Sequence, residues 1–197
     1  KQIFFNESEK IIAEYDFQKN IKNIAESYQK ALDKKNIIIF NLKTDANDDV
    51  LGFTTDWINA FAKKFNKVFV IAMYQGKDET SKNVEVYFVG KEQGYSEFKR
   101  IREFYKLFNK IIKENQIDGI FAHMIPEFAI LAAPLIKKRK IPLVLWYAHK
   151  SVTWRLRLAE RLVDKVFTPS KESCRLRKRA KITITGHGID HGKFEKA

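Results

Sequence analysis

Two histidines stand where an α/β protein does its chemistry. His123 directly follows the apolar run Gly119–Ala122, and His149 lies just past the run Pro142–Tyr147. If both runs are parallel strands, both imidazoles project at the carboxyl edge of the sheet, where the ligands of such folds gather. An imidazole at that edge hydrogen-bonds ligand hydroxyls or exchanges a proton near neutral pH. A buried histidine satisfied by its neighbours is the competing reading for either residue. Trp146 and Tyr147 could stack on a flat ligand, but consecutive strand residues point to opposite faces, which favours packing for them.

Other constellations fall away on context. His187 and His191 are spaced by four as a helical metal pair would be, yet Gly188 lies between them and no thiolate is near, so no metal site is expected. Gly186, Gly188 and Gly192 echo a dinucleotide fingerprint without the helix that must follow it. The first apolar run leads into Asn41 through Gly52, a stretch carrying Asp45, Asp48 and Asp49 and no second glycine, which repels a pyrophosphate rather than cradling one. There is no Walker motif, and no cofactor is expected.

The elements that position these residues read as βαβ grammar. Ile37–Phe40 is a β-branched apolar run suited to a strand buried on both faces. Then come a helix near Thr54–Phe65, strands at Val68–Met73 and Val84–Val89, and a long helix from Ser96 to Asn115. In that helix Phe98, Ile101, Tyr105, Phe108 and Ile112 form the stripe expected to pack on the core. Next are a strand at Gly119–Ala122, a helix at Glu127–Arg139, the strand at Pro142–Tyr147 and a helix around Trp154–Leu162. A strand at Lys165–Thr168, a helix around Lys171–Arg179 and a last strand at Ile182–Thr185 complete the set. Six or seven strands with intervening helices predict a Rossmann-like, doubly wound, mostly parallel sheet with helices on both faces. Residues 9–32, with Ile21, Ile24, Tyr28 and Leu32 on one stripe, predict an additional amino-terminal helical segment.

Composition bounds the partners. The 197 residues are 45% apolar, enough for one substantial core, and no apolar run is long enough to span a bilayer. The single cysteine, Cys174, sits in a stretch read as helical and suits a reducing compartment, so cytoplasm is the default location. The chain opens on Lys1 with no signal pattern, and the start of the gene product is expected upstream. The net charge of +13 attracts phosphates, anionic lipid or nucleic acid. Its excess concentrates between Arg155 and Lys181, which is expected to form either a solvated basic surface or a patch facing an anionic membrane.

The order of four segments carries a resemblance. His123-Met124-Ile125-Pro126, then Ile141 through His149, then Val163 through Ser173, then Gly186-His187-Gly188-Ile189-Asp190 with Phe194, resembles the retaining family 4 glycosyltransferases of GT-B fold, over residues 37–197. The resemblance implies that residues 36–197 are the amino-terminal, acceptor-side domain of an enzyme that moves a sugar from a nucleotide sugar to an acceptor hydroxyl. The donor-binding carboxyl-terminal domain is absent from this stretch, so the fragment is expected to be inactive alone. The role implied for His149 is contact with the transferred sugar or acceptor at the reaction centre, making it the catalytic candidate. His123, Gly52, Lys150 and Ser170 are the implied acceptor-side contacts, and Gly186, Gly188 and Asp190 the implied hinge. Two departures stand out: many relatives have a glycine pair after the first strand where this chain has only Gly52, and many have Asn where it has His187.

Residues 1–35 are similar to the closing helices of the same family, as if one transferase unit preceded another. The implied partners are a nucleotide sugar and a saccharide or lipid-linked acceptor, at the inner face of a membrane; nucleic acid is not expected. Two alternatives stay open: a basic binding module for nucleic acid or anionic membrane, and a GT-B-type sugar-nucleotide epimerase.

Overall fold

The computed structural model describes residues 35–48, 51–176 and 181–186, and the amino-terminal helical segment expected at 9–32 lies outside them. The described elements, in chain order, are β1 (Asn36–Thr44), α1 (Phe53–Ala62), β2 (Lys67–Gln75), β3 (Val84–Phe88) and α2 (Glu97–Glu114). They are followed by β4 (Gly119–His123), α3 (Pro126–Lys137), β5 (Leu143–Trp146), α4 (Trp154–Leu162), β6 (Lys165–Thr168) and β7 (Ile182–Ile184).

The seven strands form one sheet in the order β3-β2-β1-β4-β5-β6-β7, and every pairing is parallel. From β1 the chain runs outward through β2 to β3, then α2 carries it back across the sheet to β4 on the other side of β1. The strand order therefore reverses between β1 and β4, and the crevice that this reversal opens lies at their carboxyl ends.

Alternation along the strands divides the core. Ile38 and Phe40 of β1 face α2, α3 and α4, whereas Ile37 and Ile39 face α1. On the larger side Phe40 meets Phe104, Phe108 and Phe128 with ring centroids 5.4 to 5.8 Å apart, joining the central strand to two helices. Burying each such ring contributes about 1.5–3 kcal/mol. Ser96 caps α2 by accepting from the Lys99 amide, and Thr153 caps α4 by accepting from that of Leu156. These caps set where each helix leaves the sheet edge.

Three expectations are corrected. Strand β1 does not end at Phe40 but continues to Thr44, because Asn41 and Thr44 are buried polar residues whose hydrogen bonds are made within the fold. The helix expected from Lys171 is absent from the described residues 171–176, and Cys174 is therefore not helical. Ser170 Oγ accepts from the Ser173 amide at 3.2 Å, and Cys174 and Leu176, two residues apart, are both buried, which suits an extended segment laid over the core. Phe98 is not core at all: it is 80% exposed on the first turn of α2, ahead of the residues that the helix packs on the core, Phe104, Phe108, Ile111 and Ile112. None of the helices among the described residues is long and apolar enough to cross a membrane.

Candidate active site

The carboxyl edge of the sheet collects most of the residues singled out in the sequence, but at different depths. His123 ends β4 beside Trp146 of β5 and is only 3% exposed. Its ring stacks on Trp146 at 5.0 Å, lies 5.2 Å from Trp57 and meets Phe53 edge-on at 5.9 Å. The next residue, Met124, has φ of 57°, a left-handed turn that swings the chain out of β4 toward α3.

Asn41 fixes the chemistry of this ring. Its amide nitrogen lies 2.7 Å from the Lys43 carbonyl, 3.3 Å from Thr44 Oγ1 and 3.2 Å from Thr54 Oγ1, so its oxygen is the atom 3.1 Å from His123 Nδ1. Nδ1 must then carry the proton and donate it. Nε2 is left as an unprotonated acceptor, buried and without a partner among the described residues. Burial pushes the imidazole pKa down from 6.5 to about 4, so the ring is neutral near pH 7. A ligand could reach Nε2 only if the aromatic rings above it moved. Asn41 is the residue that sequence reasoning missed: it read as the first loop position, and its partner lies 82 residues away.

His149 has the opposite environment. It is exposed, and its Nδ1 accepts a hydrogen bond from the Ser151 amide at 3.0 Å. The Ser151 carbonyl in turn accepts from the hydroxyl of Tyr147 at 3.1 Å, and the Tyr147 ring is buried in the larger core. The loop that carries His149 is thus tied to the interior through Tyr147. With Nδ1 engaged as an acceptor, the neutral ring is protonated on Nε2 and offers a free N–H donor to whatever occupies the edge.

The β1–α1 loop is closed upon itself. Lys43 Nζ lies 2.9 Å from Asp45 and 2.6 Å from Asp48, and these carboxylates hold its pKa well above the usual lysine value. The Lys43 contact, joined by the amides of Lys77 and Asn47, likewise holds Asp45 below the usual carboxylate range. Gly52 caps α1, and a Cβ there would come within 2.6 Å of the Asp48 carbonyl oxygen. That close approach explains the glycine without a ligand. The Gly52→Ala variant is expected to lose about 1–3 kcal/mol of stability, the usual cost of forcing an extra carbon into packed structure, with a melting temperature several degrees lower. An unchanged thermal melt would show that the loop yields freely.

Lys150 is exposed beside His149. Ser170 follows β6, with its hydroxyl 3.0 Å from that of Ser173 in a local turn. Gly186, at φ of 75°, ends the described chain after β7, whereas Gly188 and Asp190 lie outside the described residues.

An all-parallel sheet in this order, with its polar residues gathered at the carboxyl edge of a strand-order reversal, is a Rossmann-like domain of the kind that forms one half of GT-B proteins. The glycosyl transferase 4-like family matches residues 46–162, more than half of the chain, and the chain belongs to that family. Solved structures agree on the fold. Acinetobacter baumannii MurG is similar at TM-score 0.53 and 10% identity over 79% of this chain and 47% of its own. The UDP-GlcNAc 2-epimerase of Methanocaldococcus jannaschii is similar at 0.52 and 12% over 75% and 45%, and Anabaena HepE, solved with UDP, at 0.52 and 14% over 80% and 45%. The chain thus spans about half the length of these proteins. No curated protein sequence is significantly similar to it.

Proposed function

We propose that residues 36–197 are the acceptor-side domain of a glycosyltransferase that moves a sugar from a nucleotide sugar to a hydroxyl of a saccharide or lipid-linked acceptor, with retention at the sugar carbon. The observation that carries this reading is the family match over residues 46–162, which takes in both β4 and β5 and so the edge where His123 and His149 stand. The nucleotide sugar as donor is supported by the UDP bound to HepE and by the UDP-GlcNAc substrate in the name of the archaeal epimerase. Residues 1–35 fit the tail of a preceding unit, and Gly186 to Asp190 the hinge toward a donor-binding domain.

In the reaction the bond from the sugar carbon to the diphosphate oxygen breaks, the diphosphate leaves with the electron pair, and the acceptor oxygen forms the new bond and gives up its proton to the departing diphosphate. His149 offers an N–H rather than a lone pair, so its part is to hold an oxygen of the reacting sugar or acceptor as charge develops. Lys150 adds a positive charge beside it. The Lys43–Asp45–Asp48 cluster has its charges paired within the loop, which suits a wall for an uncharged saccharide better than a cradle for phosphate. His123, neutral and beneath Trp57 and Trp146, supports that wall from below and offers its Nε2 to an acceptor hydroxyl if the rings part.

A second reading, epimerisation of a nucleotide sugar, is favoured by the similarity to UDP-GlcNAc 2-epimerases. Labelled nucleotide sugars separate the two. A form of the protein that includes a donor-binding domain is expected to pass label to a hydroxyl acceptor, while the 197-residue chain alone passes none. An epimerised nucleotide sugar formed without any acceptor would overturn transfer, and turnover by the chain alone would overturn its role as half of a site.

A further inference from the structure

The basic stretch expected between Arg155 and Lys181 does not form one surface. Arg155 turns to Glu97 and Glu127, at 3.9 and 3.7 Å, on the carboxyl side of the sheet. Arg161 and Lys181 instead lie at the amino edge, in the wall of a groove between the last turns of α3 and α4. This groove has a volume of about 490 Å³, within the range of about 300–1,000 Å³ that holds one small ligand. Ile136, Ile141, Leu143 and Val163 give it an apolar lining, and Leu162, 43% exposed, lines it too.

The rim of the groove is basic. Lys137, Lys140 and Arg161 are exposed, and none of them pairs with a carboxylate among the described residues. The groups that would repel an anion are closed off. Lys181 Nζ donates to the carbonyls of Glu160, Arg161 and Val163 at 3.2, 3.3 and 2.8 Å, and the Arg139 amide donates to the Ile136 carbonyl at 2.9 Å. Helix carboxyl ends repel negative charge, and these bonds remove much of that obstacle. Asp164, the carboxylate in the lining, accepts from the Leu143 amide at 2.7 Å. Lys140 itself has φ of 54°, a left-handed turn straight after α3 that glycine fills without strain. A lysine kept in that conformation points to use of its side chain.

We propose that this groove is a second ligand site, for a small phosphate ester whose apolar body lies against Ile141 and Leu162 and whose phosphate is held by Lys137, Lys140 and Arg161. Lysine and arginine hold phosphate oxygens through charge-assisted hydrogen bonds, and the apolar lining takes a part of the ligand that inorganic phosphate lacks. The groove stands at the amino ends of β5 and β6, the opposite end of the strands from His149. Its occupancy therefore requires nothing of the transferase reading.

The test is a titration of the isotopically labelled 197-residue chain with 1-naphthyl phosphate, followed through amide NMR shifts, beside inorganic phosphate and 1-naphthol. The ester is expected to shift the amides of Lys140, Ile141, Leu162 and Val163, and to bind about 5-fold or more tightly than either of its parts. Lys140→Gly is expected to melt at the same temperature or higher, because glycine relieves the left-handed turn, and to bind the ester about 5-fold or more weakly. Leu162→Ser should weaken binding of the ester and leave that of inorganic phosphate unchanged. Shifts absent from the groove, or confined to the loop of His149, would overturn the proposal. So would inorganic phosphate that binds as tightly as the ester, the mark of an adventitious ion only, or a Lys140→Gly variant that binds the ester like the parent.

Discussion

Replacing His149 by alanine is expected to slow sugar transfer by about 10 to 1,000-fold while the melting temperature barely moves. The small effect on stability follows from the ring's place. It is exposed, and its hydrogen bond among the described residues is from the Ser151 amide, which water can replace. The loop keeps its tie to the core through the Tyr147 hydroxyl. The large effect on rate follows from the Nε2–H of an exposed ring at the carboxyl edge of the sheet, where the ligands of such folds gather. His149→Gln separates the possible roles, since it returns an N–H donor of similar reach but cannot carry a proton at neutral pH. Partial recovery of rate by glutamine is the expected result for a group that holds an oxygen. If alanine leaves the rate of the folded enzyme unchanged, His149 has no part in transfer. If glutamine is as slow as alanine, proton movement replaces hydrogen bonding as its role.

The sheet was legible in the sequence because its strands are β-branched runs that must be buried on both faces. Ile37 to Phe40 and Val68 to Ile71 have no other stable home than the centre of a parallel sheet. The depth of a residue at the sheet edge was not legible. Periodicity placed Phe98 on the same stripe as Phe108, but it cannot tell where the core beneath a helix stops, and Phe98 is exposed where Phe108 is buried. The charge pattern after Lys171 suits a helix, yet the Ser170–Ser173 turn and the alternate burial of Cys174 and Leu176 take that stretch elsewhere. The two histidines occupy matching places in the sequence, each just past a strand. Only the fold separates them, because the aromatic lid over His123 comes from α1 and β5, and its hydrogen-bond partner comes from β1.

That separation has a consequence in acid. His123 has a pKa near 6.5 when the chain is unfolded and about 4 in the folded protein, lowered by burial among Phe53, Trp57, Phe121 and Trp146. Between those two values the unfolded chain holds a proton on this ring that the folded one does not. Stability therefore rises with pH across the window and is lost as pH falls from about 6.5 toward 4. The full difference amounts to about 3 kcal/mol, a large part of the stability of an ordinary domain. The two carboxylates held below their usual range, Asp45 and Glu172, are lost at the acid end of the window and below it, so they do not mimic this signal near pH 6. His123→Asn is the informative variant, because the asparagine amide can replace the Nδ1–H donor to Asn41 and cannot titrate. It costs some stacking against Trp146 at every pH, so its stability curve is expected to lie lower and run flatter between pH 4.5 and 6.5. Urea midpoints measured across that range for both proteins provide the comparison. Parallel curves would mean that the folded imidazole is charged near pH 5, and the neutral ring presenting an unpartnered Nε2 beneath the acceptor wall would have to be abandoned.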